Sequence, residues 1–208
     1  MRKRLYPFLC IAMLFIGKGF SQESGNYHLI INGDTTKINL KQAFEYKTKK
    51  GEKLTIVIDQ PLVQTYSDEM ISFQYDKTYG VSKTVIDVGI EQIMVMSSNG
   101  NGFIIQKYST MDPSSLTTLM MGELIKESIN YGYEKIEESF TIMLKSGQTL
   151  TGLKNTLEYK TEKTTYEVGA YGGKDEGILI VTMLQGDSFS ESGESMIKLF
   201  LDTLTIKD

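Results

Sequence analysis

Residues 90–108 read IEQIMVMSSNGNGFIIQKY, two apolar stretches joined by a short polar segment. The polar segment, Asn99–Gly102, is rich in asparagine and glycine, which adopt the left-handed backbone of tight turns at low cost. We therefore expect Ile90–Met96 and Phe103–Tyr108 to form an antiparallel hairpin. Ile93–Met96 is apolar at every position, which predicts a central strand that is covered on both faces.

A helix is predicted directly after this hairpin. Asp112 can cap its first turn, Pro113 suits the first helical position, and Gly132 suits the left-handed residue that ends a helix. Apolar side chains recur at helical spacing between these ends and predict one buried stripe: Leu116, Leu119, Met120, Leu124 and Ile125. A second amphipathic helix is predicted over about 192–202, with Met196, Ile197, Phe200 and Leu201 buried.

Most of the remaining chain has the composition of strands. Strand-like segments are separated by turn residues throughout: 27–32, 36–40, 43–48, 54–59, 70–75, 82–87, 140–144, 149–159, 165–171 and 177–184. Ile178–Val181 is a second run that is apolar on both faces. Strands and helices that are segregated along the chain indicate an α+β fold, with a mainly antiparallel sheet flanked by helices. We expect three parts: a signal peptide over 1–21, an N-terminal β-hairpin extension over 22–64, and an α+β domain over 65–208.

The first 21 residues have the pattern of a secretory signal peptide. Met1–Arg4 is cationic, and Leu5–Ile16 is an apolar core of about twelve residues. Small residues at Gly19 and Ser21 precede a suitable cleavage point before Gln22. We therefore expect export, to the periplasm or outside the cell. Cys10 lies inside the apolar run, an unfavourable position for lipid attachment.

Charge and composition exclude several classes of function. Without residues 1–21, which hold four basic and no acidic side chains, the chain has 18 basic and 26 acidic residues, a net charge of −8. That charge argues against nucleic acid or anionic lipid as a partner. One cysteine and one histidine exclude cysteine-rich zinc modules and HExxH sites. No apolar run reaches the roughly 18 residues of a membrane span, so no permanent span is expected.

Few residues are candidates for chemistry, and we predict no catalytic residue and no cofactor. His28, the sole histidine, is expected on a strand surface. Gly100–Gly102 and Gly172–Asp175 lack the strand-to-helix context of phosphate-binding loops, and we interpret both as hairpin turns. Three acidic residues before and within the second helix are weak calcium candidates, since calcium prefers oxygen ligands: Asp187, Glu191 and Glu194.

The order of segments over about 66–207 resembles the PsbP-like fold. The resemblance lies in an opening strand, MISFQY, the hairpin IEQIMVMSSNGNGFIIQKY and the helix SSLTTLMMGELIKESINYG. A meander ending in EGILIVTML and a terminal helix with an apolar tail, MIKLFLDTLTI, complete it. The family includes an extrinsic photosystem II subunit, a nuclear-import factor that binds a small GTPase, and DcrB-type proteins of the bacterial envelope. The resemblance implies binding or scaffolding, and the family has no shared catalytic residues.

Together these observations favour an exported, non-enzymatic binding or accessory protein of a bacterial envelope. Its partner would be another protein or a small apolar ligand. Two alternatives stay open at this point. One is an envelope hydrolase whose acidic residues assemble only in three dimensions, and the other is a structural component that pairs through β-strand edges.

Overall fold

The structure is a computed structural model that describes residues 27–186 and 189–207; the expected signal peptide over 1–21 lies outside them. The described residues divide into two compact units, one ending at Gln60 and the other beginning at Pro61. The described part of the first unit contains two antiparallel pairs: β1 (Tyr27–Ile31) with β2 (Asp34–Ile38), and β3 (Phe44–Lys47) with β4 (Lys53–Ile56). Between β1 and β2, Asn32 and Gly33 have φ of 53° and 93°, left-handed values that suit a hairpin turn.

The described part of the second unit contains two sheets and two helices. Its strands are β5 (Val63–Ser67), β6 (Ile71–Asp76), β7 (Val81–Asp87), β8 (Ile90–Met96), β9 (Gly102–Tyr108), β10 (Glu134–Met143), β11 (Thr149–Tyr159), β12 (Glu162–Gly172), β13 (Gly177–Gln185) and β14 (Thr205–Ile206). Its helices are α1 (Thr117–Tyr131), which follows a short 3₁₀ turn over Pro113–Leu116, and α2 (Ser190–Thr203). The predicted α+β class with a mainly antiparallel sheet is confirmed.

Seven strands form the main sheet, in the order β10-β11-β12-β13-β9-β8-β7, and every neighbouring pair is antiparallel. The predicted hairpin of residues 90–108 is confirmed, with Ile93 opposite Ile105. A smaller sheet has the order β14-β6-β5. The strand β13 is the middle strand of seven because it pairs with β9, which lies about seventy residues earlier in the chain.

The two strands that are apolar on both faces occupy different places. Gly177–Thr182 of β13 is buried at every position, as a central strand should be. The prediction of a central position for Ile93–Met96 is wrong, because β8 is second from the edge of the sheet. Ile93 and Val95 are fully buried, whereas Met94 and Met96 on the other face are only partly buried.

Helix α1 begins and ends near the predicted residues, but its buried stripe differs. The Asp112 side chain accepts a hydrogen bond from the backbone N–H of Ser114 at 2.8 Å, and Gly132 has φ 111°. Leu119, predicted to be buried, is 64% exposed, and Met121 is buried instead. The 3₁₀ turn has three residues per turn, so it rotates the following helix away from the phase that a continuous α-helix would have.

The two faces of the main sheet carry separate cores. Helix α1 packs Met121 and Ile125 against one face, where Leu157 of β11 and Val181 of β13 are buried. On the opposite face, α2 and the small sheet share a core with strands β8, β9 and β13. Its centre is aromatic: the rings of Phe103 and Phe200 stack with centroids 3.8 Å apart.

The predicted turn Asn99–Gly102 also anchors the chain around the connection from β13 to α2. Asn101 is buried, and its side-chain oxygen accepts a hydrogen bond from the Gln185 backbone N–H at 2.7 Å. Its side-chain nitrogen donates to the Phe189 carbonyl oxygen at 3.3 Å. One side chain therefore contacts both ends of this connection.

Two glycines that face each other across β11 and β12 make room for an aromatic ring. Gly152 is paired with Gly169, and Phe140 of β10 is the residue opposite Gly152 on the other side. A Cβ atom added to either glycine would lie 2.8 Å from the Phe140 ring. The Phe140 ring therefore packs into the space that side chains at these two positions would occupy.

Replacing Gly152 with alanine should lower the free energy of unfolding by about 1–3 kcal/mol, a typical cost of overpacking. The reason is that the new Cβ would lie 2.1 Å from the Val168 carbonyl oxygen, so the backbone of β12 must move. The control is Gly122→Ala on the exposed side of α1, where nothing lies within 4 Å of the new atom. That variant should gain up to about 1 kcal/mol from helix propensity. Equal effects of the two substitutions in urea unfolding would contradict the packing account.

Candidate functional site

The main candidate site is a groove of about 690 Å³ between helix α2 and the open face of strands β11, β12 and β13. We call it the α2 groove. Its volume lies within the range of small-molecule pockets. The residues that line it come from the strands, from α2 and from β10: Ile142, Lys154, Thr156, Lys163, Thr165, Glu167, Thr182, Leu184, Gly186, Ser190, Glu194, Ile197, Lys198, Leu201 and Asp202.

Strand geometry explains why the floor of the groove is polar. Side chains two residues apart on a strand point to the same face, so Lys154 and Thr156 of β11 face the groove together. In the antiparallel register, Lys154 is opposite Glu167 and Thr156 is opposite Thr165. The floor therefore has a pair of hydroxyl groups beside a pair of opposite charges.

The lysines of the groove are held by neighbouring carboxylates. Lys154 Nζ lies 3.2 Å from Glu167 Oε1, and the Thr182 hydroxyl donates to Glu167 Oε2 at 3.3 Å. Lys163 pairs with Glu158 at 3.0 Å, and Lys198 pairs with Asp202 one turn along α2 at 2.7 Å. The charges of the groove are thus largely compensated within the protein.

Apolar side chains line the groove on both of its sides. On the sheet, Leu184 of β13 is opposite Thr165 in the register, so it lies on the floor beside the threonines, and Ile142 of β10 also lines the groove. On α2, Ile197 and Leu201 line the groove together with four polar residues: Ser190, Glu194, Lys198 and Asp202. Ile197 is buried, and Leu201 packs against the core between α2 and the sheet. The α2 groove therefore has apolar side chains among polar ones on both sides.

Two of the three calcium candidates of the sequence lie within the described residues, and they line different hollows. Glu191 lies in the first turn of α2 and lines a separate hollow with Asp76 and Tyr79, whereas Glu194 lines the α2 groove. Asp187 lies outside the described residues. Within 27–186 and 189–207, no three His, Cys, Asp or Glu side chains are placed to hold a metal ion. A calcium site that includes Asp187 stays a prediction.

His28 and the two glycine-rich segments lie on a strand and at hairpin connections. His28 is exposed in β1, opposite Lys37. Gly100–Gly102 lies at the turn between β8 and β9, and Gly172–Asp175 lies at the connection between β12 and β13, as predicted. The floor of the α2 groove was not predicted. The available signal was the alternation Lys163-x-Thr165-x-Glu167, which places three polar residues on one face of a strand.

A second cluster of charged residues is partly buried around Lys107 of β9. Its Nζ lies 2.7 Å from Asp68 Oδ2 and 2.6 Å from Glu91 Oε2, and the Lys107 side chain is 11% exposed. Asp68 also accepts the backbone N–H groups of Met70 and Ile71, both at 3.0 Å, and the Tyr66 hydroxyl at 2.9 Å. We call these residues the Lys107 network.

The pKa values of this network follow from its contacts. Burial alone would raise the pKa of Asp68, but hydrogen bonds from Lys107, the backbone and Tyr66 outweigh it and lower that pKa to about 2. Burial would likewise lower the pKa of Lys107, and its hydrogen bonds to Asp68 and Glu91 outweigh it and raise that pKa. Burial and the hydrogen bond to Asp68 raise the pKa of Tyr66. Both ionised partners are thus stabilised as ions, which suits a structural role better than proton transfer.

Comparisons with known proteins give little further information. No protein-family model matches the chain, and no curated protein matches it. A crystal structure at 1.50 Å resolution from Bacteroides thetaiotaomicron VPI-5482 is similar at 12% sequence identity, with a TM-score of 0.35. The match covers 66% of this chain and 45% of that one, so this chain matches less than half of that protein. Among the described residues, no helix has the length and apolar character needed to cross a membrane.

Substituting Asp68 with asparagine should remove about 2 kcal/mol of stability at pH 7. The pKa of Asp68 is lowered from 3.8 to about 2 on folding, so its contribution is present above pH 4 and is lost as pH falls from 4 to 2. The difference in unfolding free energy between wild type and Asp68→Asn should therefore shrink over that interval. The control is Glu123→Gln in the exposed pair with Lys126, which should change stability by less than about 0.5 kcal/mol. A difference that is constant from pH 7 to pH 2 would contradict the linkage.

Proposed function

We propose that the protein is a non-enzymatic binding protein, and that its α2 groove takes a small ligand with an apolar body and a few hydrogen-bonding groups. The observation that carries this proposal is the mixed lining of the groove. The apolar side chains of Leu184, Ile197 and Leu201 lie among threonine hydroxyls and ion pairs. Pockets of this kind bind through apolar contact and use a small number of polar groups to orient the ligand.

The charges of the α2 groove support a neutral or weakly charged ligand. Glu167 is engaged by both Lys154 and Thr182, and Lys163 by Glu158. A strongly charged ligand would have to compete with these intramolecular partners, whereas hydroxyl or amide groups can bind to Thr156 and Thr165 directly. The same engagement of Glu167 makes it a poor general base, since its oxygens already accept hydrogen bonds.

The proposal also includes the cellular setting that the sequence favours. We infer that residues 1–21 direct export, and that the protein acts in the periplasm or outside the cell as an accessory protein of a bacterial envelope. What supports this is the cationic and apolar pattern of Met1–Ile16, together with the absence of cysteine after residue 21, which suits an oxidising compartment. The order of a hairpin, a helix, a meander and a closing helix supports a PsbP-like fold for about 66–207.

The binding proposal can be tested by fluorescence titration with 6-propionyl-2-(dimethylamino)naphthalene, a neutral probe that has an apolar body and a carbonyl group that accepts hydrogen bonds. We expect saturable binding at one site, and at least tenfold weaker binding to Thr165→Phe, because the ring would fill the floor of the α2 groove. The matched control is Thr151→Phe, an exposed threonine of β11 outside the groove, which should bind as wild type does. Circular dichroism verifies that both variants are folded.

Two results would count against this function. If Thr165→Phe binds the probe as tightly as wild type does, the α2 groove is not the binding site. If the protein hydrolyses p-nitrophenyl acetate and Glu167→Gln abolishes that turnover, the groove is catalytic and the non-enzymatic assignment is wrong. Either measurement uses the mature chain without residues 1–21.

A further inference from the structure

Three tyrosines form an aromatic cluster at one end of the main sheet, on the face that α1 covers. Tyr131 ends helix α1, Tyr133 follows it, and Tyr159 ends strand β11. The ring of Tyr159 lies 5.2 Å from that of Tyr131 and 5.3 Å from that of Tyr133, measured between centroids. We call this the tyrosine cluster. The α2 groove lies on the opposite face of the sheet, so the two features are independent.

Backbone geometry brings these three rings together. Gly132 has φ 111°, and its N–H and that of Tyr133 bond back to the last turn of α1 at 3.0–3.1 Å. The chain therefore reverses between Tyr131 and Tyr133, and both side chains reach the end of β11. Tyr131 remains 67% exposed although it contacts another ring, so much of its surface is available to a ligand.

The cluster already holds a cation of the protein itself. The Lys160 ammonium lies 4.8 Å from the centroid of the Tyr159 ring. Lys160 is at the turn between β11 and β12, has φ 56° and is exposed. A cation–π contact at such an exposed site is weak and readily exchanged for another cation. The Lys160 ammonium thus marks a position where an organic cation is attracted to the ring face.

A carboxylate lies beside the rings. Glu162, the residue opposite Tyr159 in the β11–β12 register, accepts a hydrogen bond from the Tyr133 hydroxyl. That hydrogen bond raises the pKa of Tyr133 to about 12. An anion at the rim of an aromatic cluster favours a cationic ligand and disfavours an anionic one. Aromatic rings together with a carboxylate are the groups that recognise ammonium ions.

We propose that the tyrosine cluster is a binding site for an organic ammonium group, which displaces Lys160 from the face of Tyr159. The ligand is either a free quaternary ammonium compound or a lysine side chain of a partner protein, since both present the same chemistry. The rings of Tyr131 and Tyr159 contact the cation, and Glu162 provides the compensating charge.

The test is a titration with choline chloride, followed by the aromatic NMR signals of the mature protein. We expect signals of Tyr131 and Tyr159 to shift with millimolar affinity. The matched control ligand is 3,3-dimethylbutan-1-ol, which has the shape of choline without its charge and should bind at least fivefold more weakly. Nα-acetyl-lysine amide, titrated separately, distinguishes a lysine source from a quaternary ammonium source by its relative affinity.

Variants make the proposal falsifiable. Lys160→Ala frees the ring face of Tyr159 and should bind choline about two- to fivefold more tightly, and Tyr131→Leu should weaken binding at least threefold. Lys174→Ala, an exposed lysine in the connection between β12 and β13, is the control for a general loss of positive charge and should bind choline as wild type does. Equal binding of choline and its neutral analogue would overturn the proposal, as would choline binding to Lys160→Ala no tighter than to wild type.

Discussion

The fold depends on one constraint, the burial of strand β13 on both faces. Its residues Gly177–Thr182 are all buried, and alternate side chains belong to different cores: Ile178 and Ile180 face α2, while Leu179 and Val181 face α1. An antiparallel sheet can leave one face in water, but a middle strand of this composition requires a cover on each side. The two helices and the small sheet provide those covers.

Helix α2 and the small sheet cover only part of one face of the main sheet, and the candidate site lies where this cover ends. Helix α2 and the small sheet pack over β8, β9 and β13, whereas the same face of β11 and β12 carries lysine, threonine and glutamate side chains beside α2. The α2 groove lies at this boundary between an apolar core and a polar sheet face. The pair Gly152 and Gly169 lets the Phe140 ring pack against the sheet, and Ile142 of β10 packs against the apolar core.

The Lys107 network and the tyrosine cluster differ in how fully their groups are paired within the protein. The Lys107 network joins Asp68, which lies between β5 and β6 of the small sheet, to β8 and β9 of the main sheet. Each charge there faces an opposite charge at hydrogen-bonding distance, so the network fixes the two sheets relative to each other. The tyrosine cluster instead leaves one ring largely exposed and holds only a lysine side chain against another. The Lys107 network therefore stabilises the fold, whereas the tyrosine cluster has exposed ring surface that a ligand can contact.

The sequence by itself determined the local elements: the hairpin of 90–108, the start of the first helical segment at Asp112, its end at Gly132 and the burial of Met196, Ile197 and Phe200 in α2, where Leu201, also predicted to be buried, is partly buried. Each is encoded by residues that are neighbours in the chain, through turn geometry, capping and helical periodicity. Only the tertiary structure decided that β13 is the middle strand, that Leu119 is exposed, and that Lys154 and Leu201 line one groove. Those outcomes depend on pairing between β9 and β13 and on how α2 packs, because contacts between residues far apart in the chain leave no local pattern.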